Sequence, residues 1–355
     1  MSKIVIWGTA GRAEAFYQLK YLWKDDEIVA VIDTFKKGGD FHEFKICAPE
    51  RIIELNFDVI VICSGKTDEI MKSINNIAGD RDVTVDSFDA RLNVFKNKII
   101  NLYENTGDVE IKRFIEHLKE NPLTALGPYE GPKTLDEVFY DNDEPYVLFD
   151  EKKLYLPKDY RFTYFEGKKF VPNILTEQGP QSPHIYCHSN HTVHKGDVIV
   201  DAGVCEGNFA LRYVDVAEKI YLVEPSQRWM HALQRTFEPY KDKVVYCEKF
   251  LGRYNSAETV TLDTLVGNGR VDFVKMDIEG AEVDAILGAK KTLRDNKCRL
   301  SVCSYHRNND VENLRFLLES LGYSTSVSSG YMFFLYDNNI ADTMDFRRGV
   351  VYANR

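Results

Sequence analysis

Asp277, Glu279 and Glu282 crowd together in VDFVKMDIEGAEVDAIL (271–287), directly after an apolar run. A carboxylate at the end of a buried strand faces whatever lies beyond the sheet, where it can hold a cation or take a proton. Other acids repeat the arrangement. Asp201 ends GDVIVD and is followed by Gly203, Glu206 and Gly207; Glu224 ends KIYLVE; Glu248 follows KVVYC. His306 closes CRLSVCSYH, with Tyr305 before it. An imidazole titrates near neutrality and suits a general base. Glu282 and Asp284 have a simpler use, as acids complementing the start of a helix.

The turn DAGVCEGNFAL (201–211) spaces its residues Asp-x-Gly-x-x-x-Gly. Glycine lets a backbone approach a ligand closely. The spacing is not Gly-x-Gly-x-x-Gly and no Lys-Ser/Thr follows, so neither the dinucleotide fingerprint nor a phosphate-cradling loop is present. An acidic flank disfavours pyrophosphate and suits a cationic head, such as the amino acid part of S-adenosylmethionine. Glu224, about twenty residues on, stands where a doubly wound sheet sets an acid against ribose hydroxyls. Glu248 marks the next strand end, where an adenine edge would lie. The cofactor-binding candidates are thus Asp201, Gly203, Glu206, Gly207, Glu224, Glu248 and Asp277. The catalytic candidates are Asp277, Glu279 and His306.

The elements that position these residues read as strand–helix alternation from about residue 196. Strands are expected at GDVIVDAG, KIYLVEP, KVVYCEKF, VDFVKMD and CRLSVCSYH. Helices are expected at EGNFALRYV, SQRWMHALQRTF, AEVDAILGAKKTL and NDVENLRFLLESLG, with Ser226 as a helix cap and Gly322 as a stop. GYSTSVSSGYMFFLY should close the fold as a hairpin about Ser329-Gly330. Such alternation implies a parallel sheet with right-handed crossovers. Ligands then bind outside the carboxyl ends of the strands, at the topological switch point.

Residues 1–95 alternate in the same way. KIVIWG, EIVAVID and FDVIVICSG are strands, and GTAGRAEAFYQLKYLW is a glycine turn running into a helix. Gly8 and Gly11 form only a partial fingerprint, with Asp33 ending the second strand. These three residues are the weaker candidates for holding a nucleotide on the substrate. The alternative use of this domain is packing or dimerisation with a second copy of the chain. Residues 96–175 read as a connector. It contains a helix near Asp108–Glu120, with Ile111, Phe114, Ile115 and Leu118 at helical spacing, then a Pro/Gly-rich loop and small hairpins. Residues 176–355 form the larger α/β domain.

Composition narrows the classes. A formal net charge of −10 over 355 residues argues against a broad nucleic-acid or anionic-membrane surface. No apolar run approaches the ~20 residues that span a bilayer. The start, MSKIVIWGTAGRAE, lacks the features of a signal peptide. Seven cysteines without a Cys-x-x-Cys pair fit a reduced, cytoplasmic chain. His184, His188, His191 and His194 crowd into PHIYCHSNHTVHKG. Their spacing matches no zinc pattern and no metal is expected there. The segment reads instead as an entry arm that partly covers the cofactor.

GDVIVDAGVCEGNFAL, YLVEP, TLDTL and VDFVKMDIEGAEVDAILGA, in this order, resemble the FkbM family of S-adenosylmethionine-dependent methyltransferases, over roughly residues 175–340. The resemblance implies a class I methyltransferase fold: a doubly wound seven-stranded sheet with an antiparallel final hairpin, here preceded by a smaller Rossmann-like α/β domain. It implies O-methylation of a sugar, nucleotide-sugar or other small metabolite, in bacterial polysaccharide or natural-product biosynthesis. Carried over, Asp201 and Gly203 line the methionine side, Glu224 the ribose and Asp277 the methyl-transfer site. Cys205-Glu206 departs from the family pattern and changes the local charge. The residues leave two routes open for the hydroxyl proton. One is a base, His306 or Asp277. The other is a divalent metal held by Asp277 and a neighbouring acid. The shape of residues 1–95 resembles the N-terminal domains of bacterial sugar-modifying enzymes, in which the glycine turn receives a nucleotide-sugar. A nucleotide-dependent redox or sugar-nucleotide enzyme is the competing reading, and a non-catalytic cofactor-binding module a third.

Overall fold

The computed structural model describes residues 1–36, 38–79, 81–131, 134–172 and 176–355. Residues 132–133 of the expected loop, and residue 175 at the expected end of the connector, lie outside the described residues. The chain forms two compact units, one of Met1–Ala125 with Leu335–Asp345, the other of Leu126–Phe334 with Phe346–Arg355. The stretch read as a connector is therefore divided between them.

In the first unit a six-stranded sheet has the order β3-β4-β2-β1-β5-β6, from β1 Ser2–Trp7, β2 Asp26–Ile32, β3 Asp40–Phe41, β4 Phe44–Cys47, β5 Val59–Ile62 and β6 Thr84–Ser87. All pairs are parallel except β3 with β4. The short apolar runs IVIW (4–7) and IVI (60–62) are buried because helices cover the sheet: α1 Gly11–Gln18, α2 Thr67–Ala78 and α3 Phe88–Tyr103. α4, Val109–Glu120, starts as expected. The Asp108 side chain accepts from the Glu110 and Ile111 N–H groups, and Phe114, Ile115 and Leu118 are buried.

The second unit begins with two small antiparallel sheets, Phe139–Asp141 with Glu144–Phe149 and Lys152–Tyr155, and Leu135–Glu137 with Thr163–Phe165 and Lys168–Pro172. Its main sheet has seven strands: β7 Val198–Ala202, β8 Lys219–Val223, β9 Val244–Cys247, β10 Phe273–Met276, β11 Arg299–Cys303, β12 Ser324–Val327 and β13 Val350–Asn354. Their order is β9-β8-β7-β10-β11-β13-β12, with β13 antiparallel to both neighbours. Every residue of the central β7 and β10 is buried, as a parallel strand covered on both faces must be. The order reverses direction between β7 and β10, and the carboxyl ends there open the crevice in which doubly wound sheets bind ligands.

The expected closing hairpin is corrected by the structure. GYMFFLY is not the partner of β12. That partner is β13, with Ser326 opposite Tyr352 and Val327 opposite Val351, so residues 328–349 are inserted between paired strands. Two apolar runs of similar β character compete here, and the turn signal at Ser329-Gly330 favours the nearer one. The expected single helix AEVDAILGAKKTL is in fact two, α8 Glu282–Leu287 and α9 Lys290–Asp295, and Gly288 lies against the Gly252 backbone. The other helices of this unit include α5 Asn208–Tyr213, α6 Gln227–Phe237, α7 Leu262–Val266 and α10 Asp310–Ser320.

The histidine tract does not converge. His188 pairs with His191 in an isolated bridge, and His194 lies against Arg299. His191 packs on the sheet over β11 and β13, 1% exposed, with Nε2 3.0 Å from Ser301 Oγ and Nδ1 3.1 Å from Asn354 Oδ1. Burial pushes its pKa down to about 4. A depressed histidine leaves the unfolded chain to bind the proton first, so stability is full above the ordinary histidine value and falls as the pH drops from about 6.5 to 4. The shift is worth at most about 3 kcal/mol. Urea midpoints of the native chain and His191→Gln should therefore differ less at pH 4.5 than at pH 7.5. Parallel losses at the two pH values would contradict this.

Candidate active site

A cavity of about 540 Å³ opens at the carboxyl ends of β7, β8, β9 and β10. Gly203, Cys205 and Glu206 line it from the first turn, Glu224 from the second and Lys249, Phe250 and Leu251 from the third. Asp277, Ile278 and Glu279 come from the turn after β10, and Tyr305 from the end of β11. Glu177, Gln178 and Tyr186 come from the arm before β7, and Tyr160 and Trp229 also reach the wall.

Strand register explains the base of this site. β7 and β10 pair in parallel with Asp201 opposite Lys275, so both side chains leave the same face. Both are buried, and Lys275 Nζ lies 3.1 Å from Asp201 Oδ1. Burial opposes the ammonium, but Asp201 and Asp277 outweigh it and hold its pKa above the ordinary lysine value. Lys275 also donates to the carbonyls of Ala202 and Gly203, which ties it to the glycine turn. Gly203 has a left-handed φ of +72°, and a Cβ there would fall 1.6 Å from the Asp277 carbonyl oxygen. Only glycine lets the two strand ends approach so closely.

The sequence-derived candidates separate into wall and support. Gly203, Glu206, Glu224, Asp277 and Glu279 line the cavity. Asp201 does not; it is fully buried under the turn beside Lys275. Gly207 caps α5 and faces α6, where a Cβ would meet Leu233 at 2.7 Å. Glu248 is exposed and its neighbour Lys249 is on the wall instead, a one-residue difference that alternation along a strand end turns into opposite directions. His306 is 5% exposed and stands behind Asp277, its Nε2 3.4 Å from Asp277 Oδ1 and its Nδ1 3.1 Å from Glu282 Oε1. In the first unit, Asp33 accepts from Thr9 Oγ1 and from the Phe35 and Lys36 N–H groups, so its carboxylate is engaged in its own turn. Gly8, at φ +123°, lies against the Cys63 carbonyl, and Gly11 opens α1. That unit's cavity of about 660 Å³ lies elsewhere, among Phe16, Tyr17, Tyr21, Trp23, His42 and Phe44.

Glu224 shows how an acid is fixed at a strand end. Its Oε2 accepts from the Cys205 N–H at 3.1 Å and its Oε1 from the Ser226 N–H at 2.9 Å. Ser226 does not cap α6 through its hydroxyl, as the sequence had suggested. The carboxylate spans two turns, is 7% exposed, and has lone pairs left for a pair of ligand hydroxyls.

Asp277 carries the densest set of partners. Tyr186 donates its hydroxyl to Oδ2 at 2.7 Å, Tyr305 donates to Oδ1 at 3.1 Å, and His184 Nε2 lies 3.2 Å from Oδ2. Burial works against the charge, but His184, Lys275 and His306 overcome it and hold the carboxyl well below its usual range. His184 lies between Asp277 and Glu177, and these two acids outweigh burial and push it up to about 9. Glu279 goes the other way. Its side chain is 86% exposed, so the desolvation that raises it is only partial, Asp277 and Glu282 add to it and His306 opposes, and its backbone sits at a left-handed φ of 57°. Tyr186, His184 and Glu177 were not singled out from the sequence as partners of Asp277. Nothing local connects the arm to a turn some ninety residues away; the only hint was the expectation that this arm covers the site.

Metal-type donor atoms cluster in two groups among the described residues, His184–Asp277–Cys303 and Asp277–Glu282–His306, each within 4.8 Å. Both contain Asp277.

Residues 219–325 match the family model of the methyltransferase FkbM domain. Over this stretch the chain is similar to an FkbM methyltransferase domain. The match begins after the glycine turn and spans Glu224, the Asp277–Glu282 motif and His306. The matched stretch supplies Glu224, Asp277 and Glu279 to the cavity, while Gly203, Cys205 and Glu206 of the β7 turn and Tyr160, Glu177, Gln178 and Tyr186 before β7 lie outside it. Residues 1–83 match a separate family, described as C2185-like, N-terminal. No curated protein matches the chain. Among solved structures it is similar to a methyltransferase FkbM from Methylobacillus flagellatus KT, at 16% identity over 99% of this chain and 89% of that one, with a TM-score of 0.46. It is also similar to precorrin-6y C5,15-methyltransferase from Geobacter metallireducens GS-15, at 12% identity over 46% and 83% of the two chains and a TM-score of 0.33. Magnesium protoporphyrin IX methyltransferase from Synechocystis PCC 6803, solved with bound SAM, gives 15%, 45%, 71% and 0.31 in the same order. Among the described residues no helix is long and apolar enough to cross a membrane.

Proposed function

We propose that this methyltransferase uses S-adenosylmethionine to methylate a hydroxyl group of a sugar or other small polyhydroxylated metabolite. The observation that carries the reading is the pair of acids lining one cavity, Glu224 fixed by two backbone N–H groups and Asp277 held as an anion. The cavity, at about 540 Å³, is in the range that takes a whole small molecule. The donor set fits this cofactor: hydroxyl acceptors at Glu224, an anion at Asp277, and no phosphate cradle. S-adenosylmethionine supplies a methyl group on a positively charged sulfur, already activated for transfer. Glu224 would take the ribose hydroxyls, and the Gly203 turn with Glu206 the amino acid end. Phe250 and Leu251 would face the adenine. Asp277 would stabilise the positive sulfur. Glu279, with its carboxyl raised, is the wall group suited to accept the acceptor's proton, while His306 acts through Asp277 and Glu282. Holding the hydroxyl in line with the methyl group supplies much of the rate. The sugar and the bacterial polysaccharide or natural-product setting rest on the family resemblance, as does a nucleotide-sugar handle near Gly8, Gly11 and Asp33. A homodimer through the first unit belongs to the same proposal.

Calorimetry of the purified chain against S-adenosylmethionine, S-adenosylhomocysteine and NAD tests the reading. The first two should bind with one site and the third should not. Glu224→Gln should weaken both sulfur ligands alike, by about 10–100-fold, because hydrogen bonds to a charged acceptor are worth about 1.5–3 kcal/mol. Unchanged affinity in that variant would place the ribose elsewhere.

A further inference from the structure

The side chain of His306 is 3% exposed, and both of its ring nitrogens lack a well-directed hydrogen-bond partner. Nδ1 has the Glu282 carboxylate beside it, but Nε2 is buried without a hydrogen bond, and an orphaned buried polar atom calls for an explanation. Carboxylates stand on both sides of the ring. Glu282 Oε1 lies 3.1 Å from Nδ1, itself buried and accepting from the Ile278 N–H. Towards the cavity, Nε2 lies 3.4 Å from Asp277 Oδ1 and 3.8 Å from Glu279 Oε2. Neighbouring ligands on a divalent transition ion, bonded at about 2.0–2.2 Å, stand about 3–3.5 Å apart. The Nε2–Oδ1 edge fits that spacing, and the exposed Glu279 side chain is free to close the other.

We propose that His306 Nε2, Asp277 Oδ1 and Glu279 form the binding site of a divalent first-row transition ion on the wall of the methyltransferase cavity. Glu282 then has the role that a carboxylate commonly has behind a metal-bound histidine: it accepts from Nδ1–H and fixes the ring. Tyr186 and His184 engage the other oxygen of Asp277, which leaves Oδ1 towards the ion with Tyr305 beside it. One imidazole and two carboxylates suit manganese, iron or zinc better than magnesium, which prefers oxygen alone. Asp277 and Glu279 both line the cavity. Resting on the methyltransferase reading, the ion's use is to bind the acceptor hydroxyl and lower its pKa. The oxygen–methyl bond then forms as the carbon–sulfur bond breaks, and the hydroxyl proton passes to the second oxygen of Glu279.

The test uses the full chain, stripped with a chelator and titrated with Mn²⁺, Zn²⁺, Co²⁺ or Mg²⁺ alone. One site is expected for Mn²⁺, Zn²⁺ and Co²⁺, tighter than for Mg²⁺, with a Co²⁺ absorption spectrum of mixed nitrogen and oxygen ligation. His306→Gln and Glu279→Gln should abolish it. Glu282→Gln, which leaves all three ligands, should weaken it about 10–100-fold. The Glu279 side chain is 86% exposed, so its variant should fold even if that of His306 does not. No binding, or binding that survives both Glu279→Gln and a folded His306→Gln, overturns the site. S-adenosylmethionine calorimetry on the same samples separates the two ideas. Cofactor binding without metal binding removes only this site, and metal binding without cofactor binding removes the methyltransferase reading.

Discussion

Asp277→Asn should weaken S-adenosylmethionine by about 10–100-fold while changing S-adenosylhomocysteine by less than about 3-fold. The two ligands differ by one methyl group and one positive charge, so their ratio isolates what the carboxylate does to that charge. Unit charges about 4 Å apart interact by about 4 kcal/mol at an effective dielectric constant of 20, and His184, His306 and Lys275 cancel part of this. Asparagine keeps the shape and retains an oxygen for Tyr186 or Tyr305, so the fold should survive, as thermal unfolding can verify. Equal losses for both ligands would mean that Asp277 shapes the cavity and does not sense the sulfur. No loss for either would remove it from the cofactor site.

Lys275→Met should destabilise the chain by about 3–5 kcal/mol, because it leaves Asp201 charged, buried and without its partner. The loss should exceed that of any surface pair here, such as Arg51 with Glu54, where both side chains are more than half exposed. The companion test is the double variant Lys275→Met with Asp201→Asn, which removes both charges and should recover most of the loss. Denaturant midpoints measure both. If the double variant is no better than the single one, the Lys275 bonds to the Ala202 and Gly203 carbonyls matter more than its charge.

Much of this site could be read in the sequence because strand ends announce themselves. Apolar runs ending in an acid, one of them with a glycine turn, placed Gly203, Glu224 and Asp277 around one crevice, and all three line one cavity. What could not be read was direction. Asp201 and Gly207 have the right spacing, but pairing register turned one beneath the sheet towards Lys275 and helix packing turned the other towards Leu233. Glu248 is exposed while its neighbour Lys249 lines the cavity, again a matter of direction. Tyr186 and His184 reach Asp277 by tertiary folding alone, which leaves no periodic trace in the chain. The final strand was misplaced because strand propensity cannot say which of two equal segments will pair.

The segment inserted before that last strand has a consequence for the order of events during synthesis. Leu335 packs against the hydrophobic cluster of the first unit and accepts the hydroxyl of Tyr21, and Asp342 pairs with Lys24. Domains usually fold one after another as they leave the ribosome. Here the N-terminal unit lacks one of its own pieces until residues 335–345 have been translated. A nascent chain arrested before that point should therefore show the amino-terminal unit as incomplete, more open to protease than the same residues in the released protein.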